Sequence, residues 1–310
     1  MKSQISKCPI CSSKDIKFIF SCHDRLYAID NKEFPLYQCP DCKLIFLNPM
    51  PTQKTISRYY PENYISMNNL NDSRNTTIRL LYDTYYSKRG RRFLKIIFLP
   101  VKHLLRSLPV KKNAKFLDIG CGNGRFLKYV KENGMEPWGV DPFINKTIPI
   151  LNIKKKSLKS ADFPDDYFDF VTLNNVLEHT PDPLETLIEC KRILKSGGKL
   201  IINVPNSNSL NYKIFKKNWV SLDVPRHTFT FSNENLKILS KRLKMKIEKT
   251  SYKSESFSII GSLYYKYSKG NNLNENKQLA KLSINLLFLP YAILNNLLRI
   301  GDQIEIILSK

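Results

Sequence analysis

The sequence predicts an α/β protein, a doubly wound parallel sheet with a cysteine-rich element at its N-terminal end. Three observations lead there. From residue 111 to 255, short apolar runs alternate with helical patterns, the order that builds a parallel sheet with helices on both faces. A turn with three alternate glycines, Gly120-Cys121-Gly122-Asn123-Gly124, follows the first of those runs. Two Cys-x-x-Cys pairs, Cys8/Cys11 and Cys39/Cys42, lie ahead of it.

The first run, Phe116-Leu117-Asp118-Ile119, reads as a buried strand, and Arg125 to Lys131 has helical spacing. A strand that passes through a glycine turn into a helix brings backbone N–H groups and a positive helix end to a ligand. Glycine permits the approach because it has no Cβ and tolerates positive φ. The spacing narrows the choice of ligand. A dinucleotide turn needs Gly-x-Gly-x-x-Gly, but the last position here is Arg125 and Gly124 comes one residue early. A P-loop is excluded because no Gly-Lys-Ser/Thr follows.

Met135 to Val140 reads as a second strand ending in Asp141-Pro142. A carboxylate there can accept two hydroxyl hydrogen bonds, as a ribose diol requires. Ile153 to Lys156 is a weak third strand, Phe168 to Asn174 a fourth, Leu184 to Leu194 an amphipathic helix closed by Ser196-Gly197-Gly198, and Lys199 to Pro205 a fifth strand. The Asp-x-Gly-x-Gly-x-Gly turn, together with Val176-Leu177-Glu178-His179 and Asp182-Pro183 after the fourth strand, resembles the class I S-adenosylmethionine-dependent methyltransferases. That resemblance implies a Rossmann-like seven-stranded sheet and assigns S-adenosylmethionine to Asp118, Gly120, Cys121, Gly122, Gly124, Asp141, Pro142 and Asn174. It places the adenine against Asp162 and Phe163. The segment Gln303 to Leu308 is the expected antiparallel closing strand.

Cys8, Cys11, Cys39 and Cys42 can close a tetrahedral Zn²⁺ site, and a full four-thiolate shell marks a structural metal. No signal peptide is read at Met1 to Lys7, so the expected setting is a reducing cytoplasm, where zinc is favoured over disulfides. Cys22, Cys121 and Cys190 are expected to be unpaired.

The chain therefore divides into a zinc ribbon (1–50), a helical connector or lid (51–110), the cofactor-binding core (111–255), and a helical insertion with the closing strand (256–310). Asp15 to Phe20 and Phe34 to Gln38 are the expected ribbon strands. The run Leu282 to Ile300, which Asn285, Pro290, Asn295, Asn296 and Arg299 disqualify as a span, reads first as one or two helices packed on the sheet and second as a membrane-interface contact assisted by the basic amphipathic stretch 91–107. The formal net charge of +23 admits nucleic acid, an anionic substrate or an acidic membrane surface. The charge is spread along the chain instead of clustering with aromatics, which disfavours RNA. The stretch Gly270 to Lys277 reads as a loop.

Methyl transfer needs a group that takes the acceptor's proton or positions it for in-line attack. Asn174-Asn175-Val176-Leu177 lacks the Asn/Asp-Pro-Pro-aromatic tetrad of amino-directed enzymes. Of the four histidines, His227 lies in a loop after the fifth strand where an acceptor would be covered, and His179 lies at the fourth-strand exit. A near-neutral histidine suits general-base work, so His227 is the first candidate and His179 the second. Arg226 is the candidate for a substrate phosphate or carboxylate, with Trp219 in the same loop. The ribbon, Leu44 to Thr52 and the core resemble bacterial zinc-ribbon methyltransferases of sugar and cell-envelope glycan synthesis, similar to the nucleotide-deoxysugar C-methyltransferases. This implies a small-molecule or glycan acceptor, anionic or nucleotide-linked, methylated at O or C. An RNA methyltransferase, or an enzyme acting on a lipid-linked or quinone-like acceptor at the inner face of the membrane, is the alternative.

Overall fold

The computed structural model describes residues 4–61, 76–87, 94, 95, 102, 105–144, 147–254, 256–268 and 287–310. In chain order its strands are β1 (Lys17–Cys22), β2 (Phe34–Gln38), β3 (Ile45–Leu47), β4 (Lys115–Ile119), β5 (Glu136–Val140), β6 (Ile153–Lys154), β7 (Phe168–Asn174), β8 (Leu194–Pro205), β9 (Phe229–Thr230), β10 (Lys246–Lys253) and β11 (Gln303–Ser309). The α-helices are α1 (Gln53–Ser57), α2 (Thr76–Tyr86), α3 (Arg125–Glu132), α4 (Pro183–Ile193), α5 (Leu210–Phe215), α6 (Asn233–Arg242), α7 (Ser256–Tyr267) and α8 (Leu289–Leu297).

Seven strands form the main sheet in the order β10-β11-β8-β7-β4-β5-β6. β8, β7, β4, β5 and β6 are parallel, and β11 runs antiparallel between β8 and β10. This is the expected doubly wound sheet with its closing strand. Its centre is apolar on both faces, as a covered parallel sheet must be: Leu200, Ile201, Ile202 and Val204 of β8 and Val171 and Leu173 of β7 are all buried. Strand order reverses beside β4, so the crevice outside the carboxyl ends of β4 and β7 is the natural ligand site.

Local signals explain most boundaries. The Asp182 side chain accepts the Glu185 N–H at 2.9 Å and Pro183 opens α4, a cap and first-turn proline that need no tertiary help. Ser232 and Asn235 form a reciprocal capping box on α6. β8 starts at Leu194, not at Lys199, because α4 ends at Ile193 and the chain enters the sheet directly. The glycine pair then lies within the strand instead of closing the helix, and a Cβ on Gly198 would meet the Lys195 carbonyl oxygen at 2.8 Å.

The N-terminal unit is less separate than the sequence suggests. β1, β2 and β3 form an antiparallel sheet whose fourth strand is β9, drawn from the core. Ile45 pairs with Thr230 and Phe46 with Phe229, and the Leu47 N–H donates to the Thr228 carbonyl at 3.0 Å. Asn235 of α6 donates to the Cys42 carbonyl at 3.3 Å, and Arg242 donates to the Ile10 carbonyl at 2.6 Å. One apolar cluster runs from Phe34, Leu36 and Phe46 through Phe229 and Phe231 to β7 and β8. The boundary at residue 50 marks a change of motif, not a break in packing. Parts of two expected segments (91–93, 96–101, 103–104 and 282–286), together with the expected loop Gly270 to Lys277, lie outside the described residues.

Arg226 fastens this junction. Its fully buried guanidinium donates to Asp24 at 2.6 Å, to Asp223 at 2.6 Å and to the Tyr59 carbonyl at 2.9 Å. The Arg226→Ala protein is expected to lose about 3–5 kcal/mol of stability, because two buried carboxylates lose their counter-ion. Urea denaturation checks this, and a loss below about 1 kcal/mol would show that Asp24 and Asp223 find other partners.

Candidate active site

A cleft of about 1100 Å³ opens at the carboxyl edge of the sheet, lined by the turn after β4, the ends of β5, β7 and β8, and the loop before β9. Gly120, Cys121, Gly122, Asp141, Pro142 and Asn174, all expected cofactor contacts, line it. Gly120 has φ +67°, and a Cβ there would sit 2.4 Å from Val176 Cγ2. Glycine is thus required both by backbone conformation and by space. The Gly122 N–H donates to Asp141 Oδ2 at 2.9 Å and the Phe143 N–H donates to Oδ1 at 2.8 Å. Two backbone donors orient the carboxylate and leave lone pairs for a diol. Burial raises the pKa of Asp141 against those hydrogen bonds.

Asp118 and Gly124 support the cleft from behind. Asp118 is buried and binds Arg106 through both oxygens, at 2.6 and 3.2 Å. Burial raises its pKa even though Arg106 pulls the other way. Arg106 lines the cleft and lies 4.0 Å over the Phe126 ring. Gly124 caps α3 with φ +75°, where a Cβ would meet Ile153 Cδ1 at 2.3 Å.

Asp162 and Phe163 do not reach the cleft, contrary to expectation. Phe163 is buried against Phe168 at 4.9 Å and Trp138 at 6.1 Å, between ring centroids, while Asp162 is exposed. Lys156, Ser157, Leu158 and Lys159 form that wall instead. The chain turns a few residues earlier than the motif spacing suggests because β6 is only two residues long.

The two candidate histidines come together in the lining of the same cleft, with ring centroids 4.6 Å apart and planes at 75°. His227 Nδ1 lies 2.9 Å from the Ser221 carbonyl, and His179 Nδ1 lies 3.0 Å from the Arg226 carbonyl and 3.0 Å from the Tyr60 hydroxyl. A carbonyl only accepts, so each Nδ1 carries the proton and each Nε2 keeps its lone pair. Burial lowers both pKa values, that of His179 to about 3, so both rings are neutral at pH 7. His227 Nε2 is 3.9 Å from Asp223 and 4.0 Å from Glu178. Glu178 lies behind the histidines, and neither of its carboxylate oxygens has a hydrogen-bond partner among the described residues. Burial pushes its pKa up to about 8.

Arg226 and Trp219, the expected substrate contacts, are both turned away from the cleft. Arg226 is spent on Asp24, Asp223 and Tyr59. Trp219 is 1% exposed and donates its indole N–H to Ser258 and Asp302, each at 3.3 Å. Their neighbours in sequence face the ligand space instead: Val220, Ser221, Asp223 and His227 line the cleft.

Other contributors went unrecognised in the sequence. Tyr60, stacked on Phe143 at 5.0 Å, and Leu26 of the N-terminal unit both line the cleft. So do Ser258 and Asp302, whose pKa burial raises to about 6. None sits in a motif, and Arg106, which the sequence offers only as part of the basic stretch 91–107, pairs with Asp118 at the cleft wall. The described lining residues include the acids Asp141, Asp182, Glu185, Glu189, Asp223 and Asp302 and the cations Arg106, Lys156 and Lys159, with Asp223 and Glu189 paired to Arg226 and Arg192 outside the lining. The cleft is acid-rich within a chain of net charge +23.

Comparison with known proteins identifies the core. A family described as a methyltransferase domain matches residues 89–246, half of the chain. An uncharacterized protein of Methanocaldococcus jannaschii is 34% identical over 131 residues, which span 40% of this chain and 58% of that one. A ubiquinone biosynthesis O-methyltransferase of Nitrosospira multiformis is 31% identical over 109 residues, spanning 31% of this chain and 45% of that one. The chain thus spans about half the length of the curated relatives it matches. A solved SAM dependent methyltransferase from Archaeoglobus fulgidus is 26% identical with a TM-score of 0.43, covering 75% of this chain and 99% of that one.

Two outcomes follow from this geometry. Gly120→Val is expected to abolish S-adenosylmethionine binding in calorimetry, since its side chain must displace Val176 and adopt positive φ; retained tight binding would remove the glycine turn from the site. Glu178 holds its proton in the folded state up to about pH 8, against an ordinary value of 4.5. Its contribution to stability is therefore fully present below the ordinary range and is lost as pH rises through about 8. Glu178→Gln should flatten this alkaline loss in thermal melts taken at a series of pH values. An unchanged slope would mean that Glu178 ionises freely.

Proposed function

The chain belongs to the methyltransferase-domain family, and from that premise we propose that it transfers a methyl group from S-adenosylmethionine to an uncharged, hydroxyl-rich acceptor, a sugar or glycan, at oxygen or an adjacent carbon. The observation that carries this reading is the neutral histidine pair in the same cleft as the glycine turn and Asp141.

The cofactor fits the residues present. The missing Cβ at Gly120 leaves room for backbone approach, Asp141 is oriented to accept ribose hydroxyls, Arg106 can pair with an amino-acid carboxylate, and the acidic lining suits a sulfonium cation. When bound, it would supply an electrophilic methyl on sulfur. His227 Nε2 would take the proton that the acceptor gives up on methylation. The Ser221 carbonyl holds the ring in the required tautomer, and Asp223 stabilises the imidazolium that results. His179 supports it through ring contact and through Tyr60, which closes the cleft from the connector.

The acidic lining argues against a phosphate-bearing acceptor in contact with these walls, and Arg226 is unavailable to bind one. It disfavours RNA for the same reason. A quinone-like acceptor is the second reading, favoured by the names of several relatives.

A structural zinc belongs in the same proposal. Cys8 and Cys42 Sγ are 3.5 Å apart, as are Cys11 and Cys39, and all four sulfurs lie within 4.8 Å of one another. Four sulfurs around one zinc at about 2.3 Å are separated by about 3.8 Å, so the cluster accepts the ion with little adjustment.

His227→Ala should leave cofactor affinity intact and reduce turnover by ~10²–10⁴, and unchanged rates would remove it as the base. Radiolabelled methyl transfer into a host-cell extract tests the acceptor: label in a sugar-containing pool supports the reading, and label confined to RNA overturns it. Elemental analysis should find about one zinc per chain, lost in the Cys39→Ser protein together with part of its thermal stability. A metal-free native protein would refute the zinc site.

A further inference from the structure

Helix α8 turns its apolar side outward. Leu287, one turn ahead of it, and Leu294, Leu297 and Leu298 are 74%, 53%, 74% and 58% exposed. Spacings of seven, three and one place them on one stripe of a helix. Ala292 and Asn295 are the residues buried on the opposite side. An ordinary surface helix carries charges on its outer face, but the sequence has no charged residue from Leu282 to Leu298.

Helix α5 touches α8. The Leu210 N–H donates to the Ile300 carbonyl at 3.0 Å, and the Tyr291 hydroxyl donates to Asn211 at 2.6 Å. One turn beyond Asn211, Ile214 is 52% exposed, with exposed Lys213, Lys216 and Lys217 around it. Arg299 ends the stripe on the other side and is also exposed. An apolar strip followed by Arg299, with exposed lysines on the helix bonded to it, in a chain with 50 Lys and Arg against 27 Asp and Glu, matches the chemistry of an anionic lipid surface. Acyl chains take the leucines and headgroup phosphates take the lysines. Among the described residues no helix is long and apolar enough to cross a membrane, so contact would be peripheral.

Buried hydrogen bonds link α8 to the cleft wall. Asn211, which accepts from Tyr291, donates to Ser258 at 3.2 Å and to Asp302 at 2.9 Å, and both line the cleft, as does the exposed Phe257. We propose that α8 and α5 seat the protein on an anionic membrane surface, so that the acceptor is an amphiphile: a polar, hydroxyl-bearing head carried on an apolar chain. This deepens the function proposed above, and the acceptor part rests on it. The lipid contact stands on the surface alone. The cleft excludes phosphate from its acidic walls while the outer strip attracts it, so a lipid-carried acceptor would keep any phosphate at the rim and offer its sugar or ring to the histidines.

The test is co-sedimentation of the full chain with vesicles of phosphatidylglycerol or of phosphatidylcholine, beside the Leu294→Glu/Leu297→Glu protein. The unaltered chain should pellet with phosphatidylglycerol and be released by high salt. The double substitution should weaken binding at least about tenfold, since two leucines leave the interface, while S-adenosylmethionine affinity stays unchanged and reports intact folding. Equal sedimentation of the two proteins overturns the proposal. So does a concentration-dependent dimer that the same substitutions dissolve while vesicles bind neither protein, because the stripe would then serve a second copy. Vesicle binding without any methyl transfer would count against the proposed activity, and methyl transfer without vesicle binding would count against the docking surface.

Discussion

Arg226 has no contact with water, and three separate parts of the chain depend on it. Its guanidinium joins Asp24 of the N-terminal unit, the Tyr59 carbonyl at the start of the connector and Asp223 in the loop that presents His227. Burying a cation is costly unless each donor is satisfied, and here the satisfaction comes from segments far apart in sequence, which the β3–β9 pairing also brings together. Its own carbonyl also orients His179. The histidine pair is therefore positioned by the same junction that holds the cysteine-rich unit against the core. That arrangement gives the N-terminal unit a role in the active site that a detachable ribbon would not have: Leu26 and Tyr60 reach the cleft because this junction closes.

The electrostatics of the molecule divide into two regions. The outer surface is strongly basic, whereas the cleft concentrates carboxylates, and its two histidines are kept neutral by burial. A site of this kind suits a sulfonium cation, whose amino-acid carboxylate can be met by Arg106 in the same lining. Glu178, buried behind His227 with its proton retained, fits the same logic, since an ionised carboxylate there would have neither water nor a hydrogen-bond donor to stabilise it. The basic surface can then act outside the site, in association, without compromising selectivity within it.

Much of the core was legible in the sequence. The seven-stranded sheet, the glycine turn, Asp141, Asn174 and the closing strand all stand where motif and periodicity placed them. The errors share a cause. Asp162, Phe163, Arg226 and Trp219 were placed in the site by their position along the chain; Asp162 points to solvent, and the other three were decided by which neighbour the side chain met. Phe163 went to an aromatic cluster, Trp219 to Asp302, and Arg226 to two acids, one of them more than 200 positions distant. Polarity and spacing describe a residue's surroundings along the chain, but a large side chain takes whichever partner the packing brings to it.

What the sequence determined by itself was set by short-range chemistry. Glycine is demanded where φ is positive and a Cβ has no room, a cap sits where a helix must start, and paired cysteines lie where a knuckle turns. These requirements act within a few residues and can be read in order. Only the tertiary structure decided that β9 completes the N-terminal sheet, that His179 and His227 share one pocket, that the cleft is acidic in a basic protein and that the leucines of α8 face outward. Each of these depends on contacts between distant segments, and burial, desolvation and the sharing of hydrogen-bond partners belong to the assembled fold, not to any stretch of chain within it.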